Sequence, residues 1–444
     1  MTDALPVREE TIFAPASGFG RAAVAVVRVS GPAAGLALDQ IAGGRSEPRR
    51  LSLRRLRDPG TGDILDQALV AWLPGPATAT GEDMAELHLH GGLAVRAAVL
   101  RALGRVPGCR PAEAGAFSRR AFLNGRIDLT EAEGIADLID AETEAQRVQA
   151  LRQLDGALGR QVAAWRETGI ELLAGAEAAL DFADEGDVDE DGLDAALAGH
   201  AAALRDAIRA ALADGRRGER LREGFCVVLA GAPNAGKSTL LNALSGRDAA
   251  IVSDIPGTTR DAIEVRCDLG GLPVVLVDTA GLRETADVIE AEGVKRTHHR
   301  IRSADLVLHL VPADDEAGPE DFAEVPVLRV RTKSDLPSGA PEEGGLAVSA
   351  VTGAGLDALL DAIQGSAASA LGGGNALVTR ERHREALSRA AGHLDRVAAA
   401  PAAFPPELVA EDLRLAVRAL GEVGGHVGVE EMLDRLFAGF CIGK

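Results

Sequence analysis

The stretch Phe225-Cys-Val-Val-Leu-Ala-Gly231-Ala-Pro-Asn234-Ala235-Gly236-Lys237-Ser238-Thr239 decides the reading of this chain. Phe225–Ala230 is an apolar run of buried-strand length, and GAPNAGKS fits GxxxxGK[ST] immediately before a helix-forming segment. Glycines at both ends let the backbone wrap a phosphate chain and aim N–H groups at it. Lys237 adds charge for the outer phosphates, and the Ser238 hydroxyl is a ligand for Mg²⁺. A strand before the loop and a helix after it make an accidental Gly-rich turn a poor alternative.

Further apolar runs follow: LPVVLVD (Leu272–Asp278), DLVLHLV (Asp305–Val311), VPVLRV (Val325–Val330) and LAVSA (Leu346–Ala350). Helical stretches lie among them. Alternation of this kind predicts a mostly parallel sheet with helices on both faces. Four motifs fall at the expected places. Asp278-Thr279-Ala280-Gly281 ends one strand, where a carboxylate holds Mg²⁺ through water and the Gly281 N–H senses a γ-phosphate. Gly257-Thr258-Thr259-Arg260-Asp261 lies between the phosphate loop and this motif, where a switch threonine belongs. Thr332-Lys333-Ser-Asp335 follows VPVLRV, and Ser349-Ala350 closes the last strand. The Asp335 carboxylate can accept from guanine's ring N–H and amine together, which adenine cannot match, so GTP is expected over ATP. Asn usually begins that motif. Thr332 takes its place, losing an amide that normally braces phosphate loop and base, and weaker nucleotide affinity is expected.

Helical periodicity flanks the unit on both sides. No proline occurs between Pro111 and Pro233, and Leu151, Leu154, Leu158, Val162 and Trp165 recur at three- and four-residue steps. Leu197, Leu204, Ile208 and Leu212 repeat the pattern after the acidic run Asp181–Asp191. Gly365–Gly374 reads as a linker, beyond which Arg380–Ala400 and Glu407–Leu420 are again helical. The economical arrangement is one helical domain with the α/β domain inserted into it. Residues 1–124 mix short strands, among them Ala22–Val29 and Ala68–Trp72, with Pro-Gly turns, predicting an α+β domain. The expected division is 1–124, 125–218, 219–368 and 369–444.

Composition bounds the function. With 46% hydrophobic and 26% charged residues the 444-residue chain is globular. It lacks the run of about 18 apolar residues needed to span a membrane. No secretory leader precedes Thr11, so a cytoplasmic protein is expected. The net charge of −20 argues against a broad nucleic-acid-binding face. Residues 1–124 nevertheless hold 15 Arg against 12 acids, so any RNA role needs a local basic site or a basic partner.

Several weaker signals are set aside. Four scattered cysteines form no CxxC pair, and the terminal CIGK has the wrong residues for prenylation. Asp187–Gly192 imitates a calcium loop but has Ala198 at the twelfth position. His88 and His90 share a strand face without a third ligand, and His298-His299 face apart.

Along its whole length the chain resembles the MnmE (TrmE) family of tRNA-modification GTPases of bacteria and organelles. The resemblance rests on TIFAPASGFGRAAVAVVRVSG, GEDMAELHLHGG, RRAFLNGRIDLTEAEGIADLIDAET, LDFADE, LREG, GAPNAGKSTLLNAL, AAIVSDIPGTTRD, DTAGLRE and FCIGK. It implies a folate-binding N-terminal domain that dimerises, a central helical domain and an inserted Ras-like G domain. It also implies an FAD-dependent partner, MnmG. With that partner the family installs an aminomethyl-type group on the wobble uridine of certain tRNAs, using a tetrahydrofolate one-carbon unit and GTP hydrolysis.

Leu282 stands where many GTPases carry a water-orienting Gln. The resemblance assigns that role to Glu290, and K⁺ to a site formed by Asn234, Ser253, Ile255 and Thr258 in place of an arginine finger. It implies that Thr259 joins Ser238 on Mg²⁺. Arg28, Glu86, Arg126 and Lys444 match positions around the folate, and Cys441 lies close by in sequence. The bland alternatives are a solvated helix residue for Glu290, a turn former for Asn234 and ordinary ion pairs for the folate set. Two rivals remain open for function. One is a ribosome-assembly switch GTPase without one-carbon chemistry. The other is an N-terminal domain that only dimerises.

Overall fold

The computed structural model describes residues 10–182, 190–247, 249–251, 264–278, 300–313, 322, 325–336, 345–372, 376–401, 405–427 and 430–443. It divides into two compact units, Met1–Ala136 with Gly424–Lys444, and Asp137–Val423.

The first unit is built on a six-stranded sheet: β1 (Thr11–Pro15), β2 (Ala22–Ser30), β3 (Leu51–Arg57), β4 (Ile64–Leu73), β5 (Met84–Gly91) and β6 (Cys109–Pro111), in the order β3-β4-β5-β2-β1-β6. All pairings are antiparallel except β1 with β6. Strand alternation sorts the side chains. Val27, Val29, Val70, Leu87 and Leu89 face one way and pack on helices Ala34–Ile41 and Leu93–Leu103, through Leu38, Ile41, Val99 and Leu103. On the opposite face, Ile12 and Ala14 of β1 pack against Phe117 of the helix Ala116–Leu123. Toward β3 and β4 that second face is uncovered. Leu51, Leu53 and Leu69 are 55%, 60% and 41% exposed. A smaller core of Leu129, Ala132, Leu433 and Phe437 joins the C-terminal helix Glu430–Ala438 to this unit.

The second unit holds a seven-stranded sheet: β7 (Phe225–Ala230), β8 (Ala250–Ile251), β9 (Glu264–Leu269), β10 (Leu272–Asp278), β11 (Leu306–Pro312), β12 (Val327–Thr332) and β13 (Leu346–Ala347), ordered β13-β12-β11-β7-β10-β9-β8. β10, β7, β11, β12 and β13 are parallel; β8 and β9 add an antiparallel edge. Both faces are covered along β7, β10 and β11, whereas on β12 Val327 is 47% exposed. Val227, Leu229, Leu276 and Leu308 pack on helices Lys237–Ser245 and Leu356–Leu371, whereas Val228, Val277 and Val307 pack with Ala304 and Phe322. All seven residues of β11 are buried, which explains its largely apolar sequence; the buried His309 packs edge-on against Phe322.

Helices Ala157–Phe182 and Glu190–Ala213, before this sheet in sequence, share one core with Glu381–Ala398 and Pro406–Gly424, after it. Leu158, Val162, Trp165, Leu204 and Ile208 meet Leu387, Leu394, Leu413 and Leu420 there. Two expectations need correction. The stripe beginning at Leu151 does not belong to one helix, because Glu144–Leu154 ends at Asp155 and Gly156, at φ 74°, turns the chain before Ala157. Nor is Gly365–Gly374 a linker throughout: helix continues to Leu371, with Ala367 and Leu371 buried, because small side chains still present an apolar stripe. LAVSA contributes only Leu346–Ala347 as strand.

Candidate functional site

The five parallel strands end on the same side of the sheet, the place where open α/β sheets bind ligands. The phosphate-loop residues leave β7 there. Gly231 has φ 144° and Gly236 φ 90°, backbone that side chains rarely adopt. A Cβ on Gly231 would stand 2.4 Å from the Leu310 carbonyl oxygen, so the loop can pass β11 only as glycine. Asn234 occupies the left-handed region at φ 69°, which Asn tolerates better than most residues, and its side chain is exposed at the crest. Ala235 is fully buried beneath it.

Lys237 opens the helix Lys237–Ser245. Its ammonium Nζ donates to the carbonyls of Gly231 (2.8 Å) and Ala232 (2.9 Å), which holds the charge inside the loop. Ser238 Oγ donates to Asp278 Oδ2 at 2.5 Å, and the Asp278 residue is completely buried at the end of β10. A hydroxyl and a carboxylate meeting at a helix N-terminus form a hard-oxygen donor pair suited to Mg²⁺. Thr239 is exposed on the first turn.

Two more strand ends complete the described part. Thr332, 4% exposed at the end of β12, donates its hydroxyl to the Ala235 carbonyl at 2.7 Å. The expected loss of bracing is therefore corrected: the hydroxyl braces the phosphate loop from below. Lys333 follows with φ 58°, turning the chain so that Asp335 is exposed. The Ser334 N–H donates to the Val348 carbonyl at 3.1 Å, tying this segment to the one after β13. There Ser349 is fully buried, its Oγ accepting from the Thr352 N–H at 3.1 Å and its N–H bonded to the Ala354 carbonyl, which places Ala350 at the turn.

Ser253, Asp254, Ile255, Pro256, Gly257, Thr258, Thr259, Thr279, Ala280, Gly281, Leu282, Glu290 and His298-His299 lie outside the described residues, as do Asp187–Asp189 of the calcium-loop imitation. A cavity of about 400 Å³ opens elsewhere in this unit, between Glu144–Gln153, Gly270–Leu272, and Leu371, Gly372, Ala376 and Leu377. No nucleotide-motif residue lines it.

In the first unit Arg28 and Glu86 are register partners on β2 and β5. Arg28 donates from Nε (3.1 Å) and Nη2 (3.0 Å) to Glu86 Oε1, and its guanidinium lies 6.0 Å from the Phe117 ring centroid. The pair is half-buried on the sheet's second face, which explains how two lone charges are tolerated within strands. Glu86 Oε2 lies 3.5 Å from His88 Nε2, and His90 Nδ1 lies 2.7 Å from Asp66 Oδ1, so carboxylates occupy both histidines.

Arg126 is exposed in the turn after the helix Ala116–Leu123, its Cγ close beside Gly81. Lys444 is outside the described residues. Ahead of it Cys441 is exposed, Ile442 bridges to Ala114, and Gly443 (φ 100°) passes the Pro15 carbonyl so closely that a Cβ would stand 1.9 Å from it. That approach is a steric reason for glycine in FCIGK.

The sequence reading missed a buried network here. Arg120 Nη1 donates to Glu82 Oε2 (2.8 Å) and to the Ser30 carbonyl (3.2 Å), while Ser30 Oγ donates to the same carboxylate oxygen at 2.7 Å. Asn124 Nδ2 donates to the Thr80 carbonyl at 2.7 Å. The signal was an arginine three residues beyond Phe117, on the inward face of a short helix.

The fold and these strand ends define a P-loop nucleotide-binding protein whose other unit is built on a six-stranded sheet. The family model described as "GTP-binding protein TrmE N-terminus" matches residues 11–126, and "MnmE helical domain" matches 129–441. The tRNA modification GTPase MnmE of Methylorubrum populi is 98% identical over all of both chains. That of Methylobacterium radiotolerans is 69% identical, over 98% of this chain and 99% of its own. In Rhodospirillum rubrum the protein of that name is 55% identical over the same shares. The chain belongs to the MnmE family of tRNA modification GTPases.

Proposed function

We propose that this chain is a K⁺-stimulated GTPase. With an FAD-dependent MnmG-like partner it would install an aminomethyl-type group on the wobble uridine of certain tRNAs, using a tetrahydrofolate one-carbon unit. The observation that carries the reading is the phosphate loop. Lys237 is held inside it and Ser238 is bonded to the buried Asp278, in a chain 98% identical along its length to a tRNA modification GTPase.

In this reading the loop N–H groups and Lys237 bind the β- and γ-phosphates, and Ser238 with Thr259 would hold Mg²⁺, which offsets phosphate charge. Ser253, Asp254, Ile255 and Gly257 through Thr259 form the first switch, and Thr279, Ala280 and Gly281 begin the second. Asn234 with Ser253, Ile255 and Thr258 would hold K⁺. Glu290 orients the attacking water, and Asp335 with Lys333, Ser349 and Ala350 frames the guanine. Arg28, Glu86, Arg126 and Lys444 would surround the folate, for which the Arg28–Glu86 pair offers donors and an acceptor on one sheet face. Exposed Leu51, Leu53 and Leu69 on that face support dimerisation of the N-terminal domain. The division into 1–124, 125–218, 219–368 and 369–444 follows the same reading. No described helix is long and apolar enough to cross a membrane, which fits action in the cytoplasm on tRNA carried by the complex.

Mass spectrometry of tRNA nucleosides from a strain lacking the gene tests the reading. Loss of the modified wobble uridine, recovered when the wild-type gene is restored, is expected; unchanged nucleosides would leave a GTPase of another target, such as ribosome assembly. Full turnover in Na⁺ at equal ionic strength would remove K⁺ from the scheme, and calorimetry without tetrahydrofolate binding would remove the folate.

A further inference from the structure

We infer that Thr332 acts only on the phosphate loop and makes no contact with the base, so this site binds its nucleotide without using the purine N7. A threonine hydroxyl has one proton to donate. Here it goes to the Ala235 carbonyl at 2.7 Å, with Thr332 itself 4% exposed and Ala235 fully buried. An asparagine amide in this place has two N–H donors, enough to brace the loop and reach toward the base as well. Thr332 has none left over.

The surroundings keep the hydroxyl where it is. Gly236, at φ 90°, has the Thr332 hydroxyl and Cβ as the nearest atoms to where its own Cβ would stand, at 3.9 and 4.0 Å. Thr332 is the last residue of β12, paired with Pro312 of β11, and its carbonyl accepts from the Ala313 N–H at 3.0 Å. The backbone is thus fixed on the sheet, and β-branching limits the side chain to few rotamers. Recognition of guanine then falls to Asp335, whose side chain is exposed just beyond β12. N7 is common to guanine and adenine, so giving it up lowers affinity without relaxing the choice of base.

The inference rests on the reading that this loop holds a guanine nucleotide. The test titrates the full-length protein with GTP and with 7-deaza-GTP, which carries carbon in place of N7. Wild type is expected to bind the two within about twofold of each other. Thr332→Val, which leaves the Ala235 carbonyl without its donor, should weaken both by the same factor, about five- to twentyfold, the scale of one lost buried hydrogen bond. Thr332→Ser keeps the hydroxyl and should restore wild-type binding. Thr332→Asn supplies the second donor and should prefer GTP to 7-deaza-GTP severalfold.

A purely structural Thr332 would not change the ratio of the two ligands in any variant. Wild type favouring GTP severalfold, Thr332→Val binding as wild type does, or Thr332→Asn failing to discriminate would each overturn the inference. No binding of either ligand to wild type would instead overturn the guanine-nucleotide reading beneath it.

Discussion

The two sheets of this protein differ in how they spend their faces. The seven-stranded sheet is covered on both faces along β7, β10 and β11, so these strands are mostly apolar, His309 being a buried exception, and its nucleotide-motif residues stand at the strand ends. The six-stranded sheet is covered fully on one face only, so charged residues can stand in mid-strand, as Arg28 and Glu86 do. A doubly covered sheet leaves no low-cost place for a charge except its rim. A half-covered sheet lets a site sit on the sheet itself.

That contrast can be broken most severely by activity. Asp278→Asn, at the rim of the covered sheet, should lower GTP turnover by about 100-fold or more, since phosphoryl transfer depends on placed charge. Arg28→Ala should leave isolated GTP turnover within about twofold while reducing folate binding, because it lies on the other sheet. Turnover that falls equally for both would show that the two sites are not separable.

Stability gives the next largest effect. Leu308, fully buried in the covered sheet, should cost about 2–5 kcal/mol when changed to Ala, read as a lower denaturation midpoint. Leu53→Ala, on the open face at 60% exposure, should cost no more than about 0.5 kcal/mol in the monomer. A large cost that depends on protein concentration at Leu53 would instead mark that face as covered in an oligomer.

Cysteine reactivity sharpens the comparison further. Burial pushes the thiols of Cys109 on the first sheet, and of Cys226 and Cys267 on the second, up to about 11. Cys441 is exposed. Iodoacetamide at pH 8 followed by peptide mapping should therefore modify Cys441 first, because thiolate is the reactive form. Early labelling of Cys226 or Cys267 would mean that the covered sheet opens more readily than its packing implies.

The smallest effect concerns Asp305, beside β7. Burial raises its carboxyl pKa, against the opposing influence of the Cys226 N–H and Arg220. A raised folded-state value means the contribution to stability is present below the unfolded value, about 3.9, and is lost as pH rises through the folded one. Asp305→Asn should flatten the stability profile across that window. An unchanged slope would show that the Arg220 pair and the Cys226 N–H outweigh desolvation.

Legibility followed the same division between the sheets. The covered sheet was readable because burial on both faces forces largely apolar central strands, and because phosphate binding needs Gly231, Gly236, Lys237 and Ser238 in fixed order. The first sheet was readable only in part. Arg28 and Glu86 stood out as charges within strands, but their pairing depends on the β2–β5 register, which no local pattern encodes. Arg120 went unnoticed because its carboxylate partner, Glu82, lies 38 residues away in sequence. The helical stripe from Leu151 misled because Gly156 alone breaks it.

Sequence by itself determined the nucleotide chemistry, the α/β alternation and the family, since these rest on residue types at short spacing, where backbone geometry is local. Tertiary structure alone decided which distant groups meet. It set the hydroxyl of Thr332 under Ala235, brought Ser238 to Asp278, and built one helical core from segments on either side of the seven-stranded sheet. Those contacts are fixed by packing across the whole chain, because a side chain's partner depends on which strands and helices lie side by side, not on its neighbours in sequence.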